Sequence, residues 1–219
     1  MNAGARSTAS KRIDTLALAN DLGVRLRDYR DAASISVREL ARRIEVSPSL
    51  ISQVEHGKVT PSVETLYRIA NELGLSVGDF FGNRRESAAN DRAGRDAGEA
   101  RDFVQRKETR KKVQLAGGVT WERLAPTSGD RVEFLHVVYD VGSESCPKDS
   151  MLRHGGKEYA CILTGRLGVK IGFDELELGP GDSLVFDAQM PHRLWTVGNR
   201  AATAIWVIIN REGDARPTA

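Results

Sequence analysis

The sequence predicts two domains of different class in one chain, α first and β second. Three observations predict it. From Ser36 to Leu73 apolar residues recur with helical spacing, between residues suited to helix caps. From Val113 to Ile209 the period drops to two, in short runs punctuated by Gly, Pro, Asp and Asn. Between the halves lies a charged stretch with scarcely any large apolar side chain. At 219 residues the chain is long enough for more than one packed core.

Met1 to Arg12 is rich in Ala, Ser, Gly and Arg and reads as a disordered arm. A first helix is expected from near Asp14 or Asn20 to near Ala33, with Leu22, Leu26 and Tyr29 as its stripe. In the second helix Val37, Leu40, Ala41 and Ile44 fall at i, i+3, i+4, i+7. The third has Leu50, Ile51 and Val54 on its apolar face. Ser47 suits its N-cap, Pro48 its first helical position and Gly57 its stop. Ser62 caps a fourth helix with a core face of Val63, Leu66, Ile69, Ala70 and Leu73, flanked by Glu64 and Glu72 as solvated charges. Gly74 ends it. Ser76 opens a short fifth helix, and Phe80 and Phe81 close the core.

The third helix turns Ser49, Ser52, Gln53 and His56 outward. Short hydrogen-bonding side chains can approach base edges closely in a major groove. A helix, a tight turn and such a second helix have the geometry of a DNA-reading helix-turn-helix. The string SVRELARRIEVSPSLISQVEHGKVTPSVETLYRIANELGLSVGDFF resembles the phage-repressor-like (XRE) family almost throughout. The resemblance covers about Leu22 to Phe81. It implies DNA contacts from Ser47, Pro48, Ser49, Ser52 and Gln53, a phosphate contact from Lys58, and weaker ones from Arg38 and Arg43. It also implies an ion pair between Arg30 and Glu55. Glu45 departs from the family, which usually has glycine there; a side chain must then adopt positive φ at a cost, or the turn differs.

Charged residues make up 28% of the chain, yet the net charge is only +2, so a general basic coat for nucleic acid is absent and DNA contacts must be local. The two cysteines, Cys146 and Cys161, supply no disulfide framework and fit a reducing cytoplasm. No apolar run reaches the roughly 18 residues of a membrane helix, and the N-terminus lacks the apolar core of a secretory signal. The stretch 83–112 reads as a linker.

In the second half VTWERL, RVEFLHVVY, EYACIL, GRLGVKIG, DELEL, DSLVF and ATAIWVII are strand candidates. Many short strands at such spacing suggest a β-sandwich or barrel. Two stretches, Leu152 to Gly172 and Leu178 to Trp195, together resemble the two motifs of the cupin family, most recognisably at Pro180-Gly181-Asp182 and Pro191-His192. The resemblance implies a double-stranded β-barrel of jelly-roll type. Metal-binding cupins use two His and a Glu from the first motif and a His from the second. Here His154, Glu158 and His192 match, while Leu152 stands at the leading His position. The broken set favours a metal-free effector pocket lined by His154, Glu158 and His192, with Tyr159 and Trp195 as aromatic walls beside Trp206. No cofactor is expected; a divalent metal on the same three residues is the alternative. Cys161 reads as a small core hydrophobe.

The whole chain thus resembles bacterial regulators with an XRE helix-turn-helix followed by a cupin sensor. The expected organisation is a five-helix DNA-binding domain over 13–82, the linker, and a cupin domain over 113–212. The expected function is a cytoplasmic homodimeric regulator that binds operator DNA and a small-molecule effector and engages no membrane. The alternative is a metal-dependent cupin enzyme, an oxygenase or isomerase, with an accessory DNA-binding domain. The strand Ala202 to Ile209 is the expected dimer edge.

Overall fold

The computed structural model describes residues 21–81, 103–126 and 132–209. The expected N-terminal arm, most of the expected linker and the polar C-terminal tail lie outside them, as do the boundaries at 13, 82 and 212.

Four α-helices build the first domain among the described residues: α1 over 21–32, α2 (Val37–Arg43), α3 (Pro48–Glu55) and α4 (Val63–Leu73). Each cap uses a residue the sequence offers. Ser36, Ser47 and Ser62 accept from the N–H groups of Glu39, Leu50 and Thr65. Gly74 closes α4 in the left-handed conformation, φ 62°. Leu22, Leu26, Leu40, Ile51, Leu66, Ile69, Phe80 and Phe81 are buried together. Gly23 lets α1 cross α3, since a Cβ there would lie 2.2 Å from the Val54 carbonyl oxygen. The expected fifth helix is instead a single 3₁₀ segment, Val77–Phe81. It is too short for an α-helix, and the Asp79 side chain accepts from both the N–H and the hydroxyl of Ser76.

Nine strands follow among the described residues: β1 (Lys112–Leu115), β2 (Val119–Arg123), β3 (Val132–Tyr139), β4 (Lys157–Thr164), β5 (Leu167–Ile171), β6 (Asp174–Leu178), β7 (Ser183–Asp187), β8 (His192–Thr196) and β9 (Ala202–Ile209). They form two sheets rather than the expected closed barrel: β1-β2-β3-β9-β4-β7 and β6-β5-β8. Closure fails beside β8. There the segment 140–156, with Gly142, Pro147, Gly155 and Gly156, meets β8 through the isolated bridges Glu144↔Trp195 and Leu152↔His192 and scattered hydrogen bonds such as Ser145 N–H to the Leu194 carbonyl at 2.8 Å, without a continuous ladder. β9 is not an edge, contrary to expectation. It lies between β3 and β4, paired on both sides. The exposed edge strand β6 carries Asp174, Glu175 and Glu177, charges that discourage pairing.

Inward residues alternate along each strand. Leu135, Val137 and Tyr139 of β3, Ala204, Trp206 and Ile208 of β9, and Leu194 of β8 are buried. The outward residues of the six-stranded sheet include a register row of Phe134, Val207, Tyr159 and Val185. No helix among the described residues is long and apolar enough to cross a membrane.

Candidate functional site

The recognition surface is built on α3. Ile51 and Val54 anchor it in the core, while Ser49, Gln53 and Lys58 are exposed and Ser52 is half-buried. Gln53 donates from Nε2 to Ser49 Oγ at 3.2 Å. Ser47 is committed to its cap, 3.2 Å from the Leu50 nitrogen, and Pro48 takes the first turn. Behind the face, Arg30 forms a bidentate pair with Glu55, Nε to Oε1 at 2.6 Å and Nη2 to Oε2 at 3.0 Å, both side chains buried. The Glu55 carboxylate holds the Arg30 guanidinium above its usual range. The turn before α3 places Glu45 at φ 57°, the left-handed region.

Arg38 is exposed. Arg43, a weaker candidate for a DNA contact, is paired within the chain: Glu39 at 2.6 Å and Glu72 at 2.7 Å hold its guanidinium on the α2–α4 side. Both acids are within its reach, one a helical turn before it and one across the groove. Glu72 and Glu64 are accordingly not simple solvated charges. Glu64 accepts from Arg68 at 2.7 Å and from Ser150 at 3.1 Å.

The second constellation lies between the sheets. His154, Glu158 and His192 come together with one ligand-capable atom from each within 4.8 Å of the others, and all three are buried. Glu158 sits on β4 facing inward and His192 opens β8. The loop before β4 is stitched to the β7–β8 connection: Leu152 and His192 exchange backbone hydrogen bonds of 2.8 and 3.0 Å, and the His154 N–H donates to the Ala188 carbonyl at 3.1 Å. Gly156 turns this loop at φ 98°. Leu152 thus lies beside His192 as an apolar wall.

The protons of the site are fixed by its surroundings. Nδ1 of His154 is 3.0 Å from the Gly155 carbonyl, and Nδ1 of His192 is 2.9 Å from that of Met190. A carbonyl only accepts, so each Nδ1 carries hydrogen and each ring turns its Nε2 inward. Trp206 donates to Glu158 Oε2 at 2.8 Å, leaving Oε1 free to face the histidines. Burial opposes ionisation of Glu158, but His154, His192 and Trp206 hold its carboxyl below the usual range. Burial pushes the His192 imidazole down, against the pull of Glu158.

Nε2 of His154 lies 2.7 Å from Glu158 Oε1, yet it is not aligned to hydrogen-bond and has no partner. A buried carboxylate this close to an imidazole nitrogen requires positive charge beside it, on the ring or on a bound cation. Two imidazole nitrogens and a carboxylate oxygen therefore fit a divalent cation such as Zn, Mn or Fe, with positions left open.

Two expected aromatic walls are elsewhere. Tyr159 is 40% exposed on the outer face of β4, because strand alternation sends it opposite Glu158. Cys161 shares that face and is exposed, not a core residue. Trp195 likewise alternates away from His192; it covers Gly168 and stacks with Arg193 at 4.7 Å. The walls are Trp121, Trp206, Tyr139 and, from the helical domain, Val63 and Tyr67. The Tyr67 ring stacks on His154 with centroids 4.2 Å apart and planes at 12°. In the sequence Tyr67 carried no signal beyond one aromatic next to Leu66 on the core face of α4.

The chain matches the helix-turn-helix family HTH_3 over residues 26–80 and the cupin domain family Cupin_2 over residues 135–208. It is similar to the HTH-type transcriptional regulator PuuR of Escherichia coli (strain K12), 22% identical over 171 residues, which is 78% of this chain and 84% of that protein. An uncharacterized HTH-type transcriptional regulator, MJ0272 of Methanocaldococcus jannaschii, is 32% identical over 57 residues, 26% of this chain and 86% of that one. The crystal structure of an HTH_3 family transcriptional regulator from Vibrio cholerae shares the fold. Its TM-score is 0.61 at 19% identity, over 90% of this chain and 99% of that one.

Proposed function

The chain belongs to the helix-turn-helix proteins that carry a cupin domain behind the DNA-binding domain, and from that premise we propose that it is a sequence-specific transcription regulator with a small-molecule effector. The observation that carries the reading is the exposed polar face of α3, Ser49, Ser52 and Gln53, set on a helix whose other face is locked by Ile51, Val54 and the buried Arg30–Glu55 pair. A rigid helix with short polar side chains outward is suited to base-edge readout, and Lys58 just beyond it to phosphate.

The effector would enter the β domain and meet His154, Glu158 and His192 among aromatic walls. A divalent ion, when bound, would be held by the same three residues and would supply a Lewis-acidic position for a donor atom of the effector. Two heads are needed to read two half-sites a helical turn apart. The outward row Phe134, Val207, Tyr159 and Val185 supports a homodimer through the outer face of the six-stranded sheet.

Selection of bound duplexes from a random pool, with the full-length protein, tests the reading. A two-fold symmetric site is expected, bound more weakly by Gln53→Ala. Binding without sequence preference would overturn it, and turnover of a bound metabolite would replace it with the enzyme alternative.

A further inference from the structure

The pocket in the β domain is closed from the side of the helical domain. Val63 and Tyr67 of α4 belong to its wall. Tyr67 lies flat on His154 and meets Trp121 edge-on at 5.6 Å. With Tyr67 in place the cavity has a free volume of about 20 Å³. That holds about one water or one bare ion and no organic molecule.

Three hydrogen bonds seat α4 there, falling before, within and after it. The Ala116 N–H donates to the Pro61 carbonyl at 2.8 Å. The Ser150 hydroxyl donates to Glu64 Oε1 at 3.1 Å. The Val77 N–H donates to Glu133 Oε1 at 2.9 Å, and Glu133 is itself a buried residue of β3. The two domains, taken from the sequence as units joined by a long linker, are packed directly on each other.

We propose that α4 of the DNA-binding domain is the lid of the sensor pocket and that Tyr67 is its ligand-excluding residue. This rests on reading the β domain as the sensor. A ligand larger than a single ion at His154, Glu158 and His192 and a docked helical domain exclude each other. Ser49, Gln53 and Lys58 are exposed in the docked state, so docking leaves the reading face uncovered and fixes its orientation instead. A ligand that lifts Tyr67 releases the head. By linkage, DNA that requires a docked head weakens the ligand by the factor by which the ligand weakens the DNA.

Labelling of imidazoles by diethyl pyrocarbonate on the full chain, read peptide by peptide in a mass spectrometer, tests this. The chain has four histidines, of which His56 is exposed and serves as internal standard. Wild-type His154 and His192 should label more slowly than His56 by about tenfold or more, as expected of sites reached only by local opening. Tyr67→Ala should raise both rates by about tenfold while leaving His56 unchanged, and Tyr67→Phe, which keeps the ring, should stay protected. If Tyr67→Ala does not fold, the wild type still decides. Conditions that speed amide exchange at Val77 and Ala116 should speed labelling of His154 in step. Unchanged rates in a folded Tyr67→Ala, fast labelling in the wild type, or labelling uncoupled from exchange would refute the lid. Protection that vanishes on dilution to the monomer would assign Tyr67 to a second copy and overturn the intrachain lid. None of these measurements needs DNA or effector, so the lid and the regulator reading fail separately.

Discussion

Glu55 is an acid that only Arg30 makes tolerable in the helical core. Their two hydrogen bonds tie α1 to α3 where neither side chain meets water. Glu55→Ala should cost about 3 kcal/mol in urea unfolding of the full chain, because the buried guanidinium loses its bidentate partner and keeps only the half-exposed Asp31 carboxylate, 2.6 Å from Nη1. A loss near that of an exposed pair, below about 1 kcal/mol, would show that Arg30 finds another way out. Glu45 is the opposite case, an exposed side chain at φ 57°. Its nearest opposite charge, Arg68, is 3.8 Å away with both groups largely exposed, a weak pair. Glu45→Gly should therefore stabilise the protein by about 1 kcal/mol. An unchanged unfolding midpoint would mean that the entropy of the added glycine cancels the relieved strain. Both residues were legible in the sequence, but only through the resemblance. Spacing alone pairs Arg30 with nothing.

At the scale of elements, α3 makes the sharpest statement. Gln53→Ala should cost about 1–3 kcal/mol of operator affinity and relax preference at one or two base pairs, measured by anisotropy titration against single-substitution duplexes. Lys58→Ala should weaken all duplexes alike and lower the slope of log K against log salt by about one. Equal base preference in wild type and Gln53→Ala would place the reading face elsewhere. The helices and seven of the strands were legible because cap chemistry and alternation are local. β1 and β8 were not: Lys112–Leu115 is only four residues long beside the charged stretch, and His192–Thr196 mixes inward His, Leu and Thr with outward Arg and Trp and carries no apolar rhythm. The clean alternation of Phe134, His136 and Val138 marked β3 correctly but lies on its outward face; Leu135, Val137 and Tyr139 form the core. Alternation gives a period and not a phase, and the phase is set by which sheet covers the strand. That is also why Tyr159 and Trp195 were misplaced as pocket walls.

For the whole molecule, long-range packing decides what sequence could not. The convergence of His154, Glu158 and His192 was legible from the two motifs. The seat of α4 on that site was not, because it depends on a tertiary contact between Tyr67 and His154, which lie in different domains and far apart in the chain. The three-donor set predicts metal behaviour. Wild-type protein should take up cobalt(II) and lose it to a chelator. Leu152→His, which restores a fourth donor beside His192, should tighten uptake by about tenfold or more. No change in affinity would mean that position 152 does not reach the ion. Assembly is tested on the outward row of the six-stranded sheet. Phe134→Asp should weaken self-association by about 2 kcal/mol or more in sedimentation equilibrium, as a charge placed in the centre of an apolar interface does. A dimer as strong as wild type would place the contact on another face.

The hydrogen bond from Trp206 to Glu158 gives the protein an optical gauge. Of three tryptophans, Trp121 and Trp206 line the pocket and Trp195 lies outside it against Arg193. The indole N–H of Trp206 points at a buried carboxylate, so its excited-state dipole sits in the field of that charge. An ion or ligand that engages Glu158 changes the field and with it the emission wavelength. Trp195→Phe would leave only pocket tryptophans emitting. Occupancy could then be followed by intrinsic fluorescence, with no attached dye.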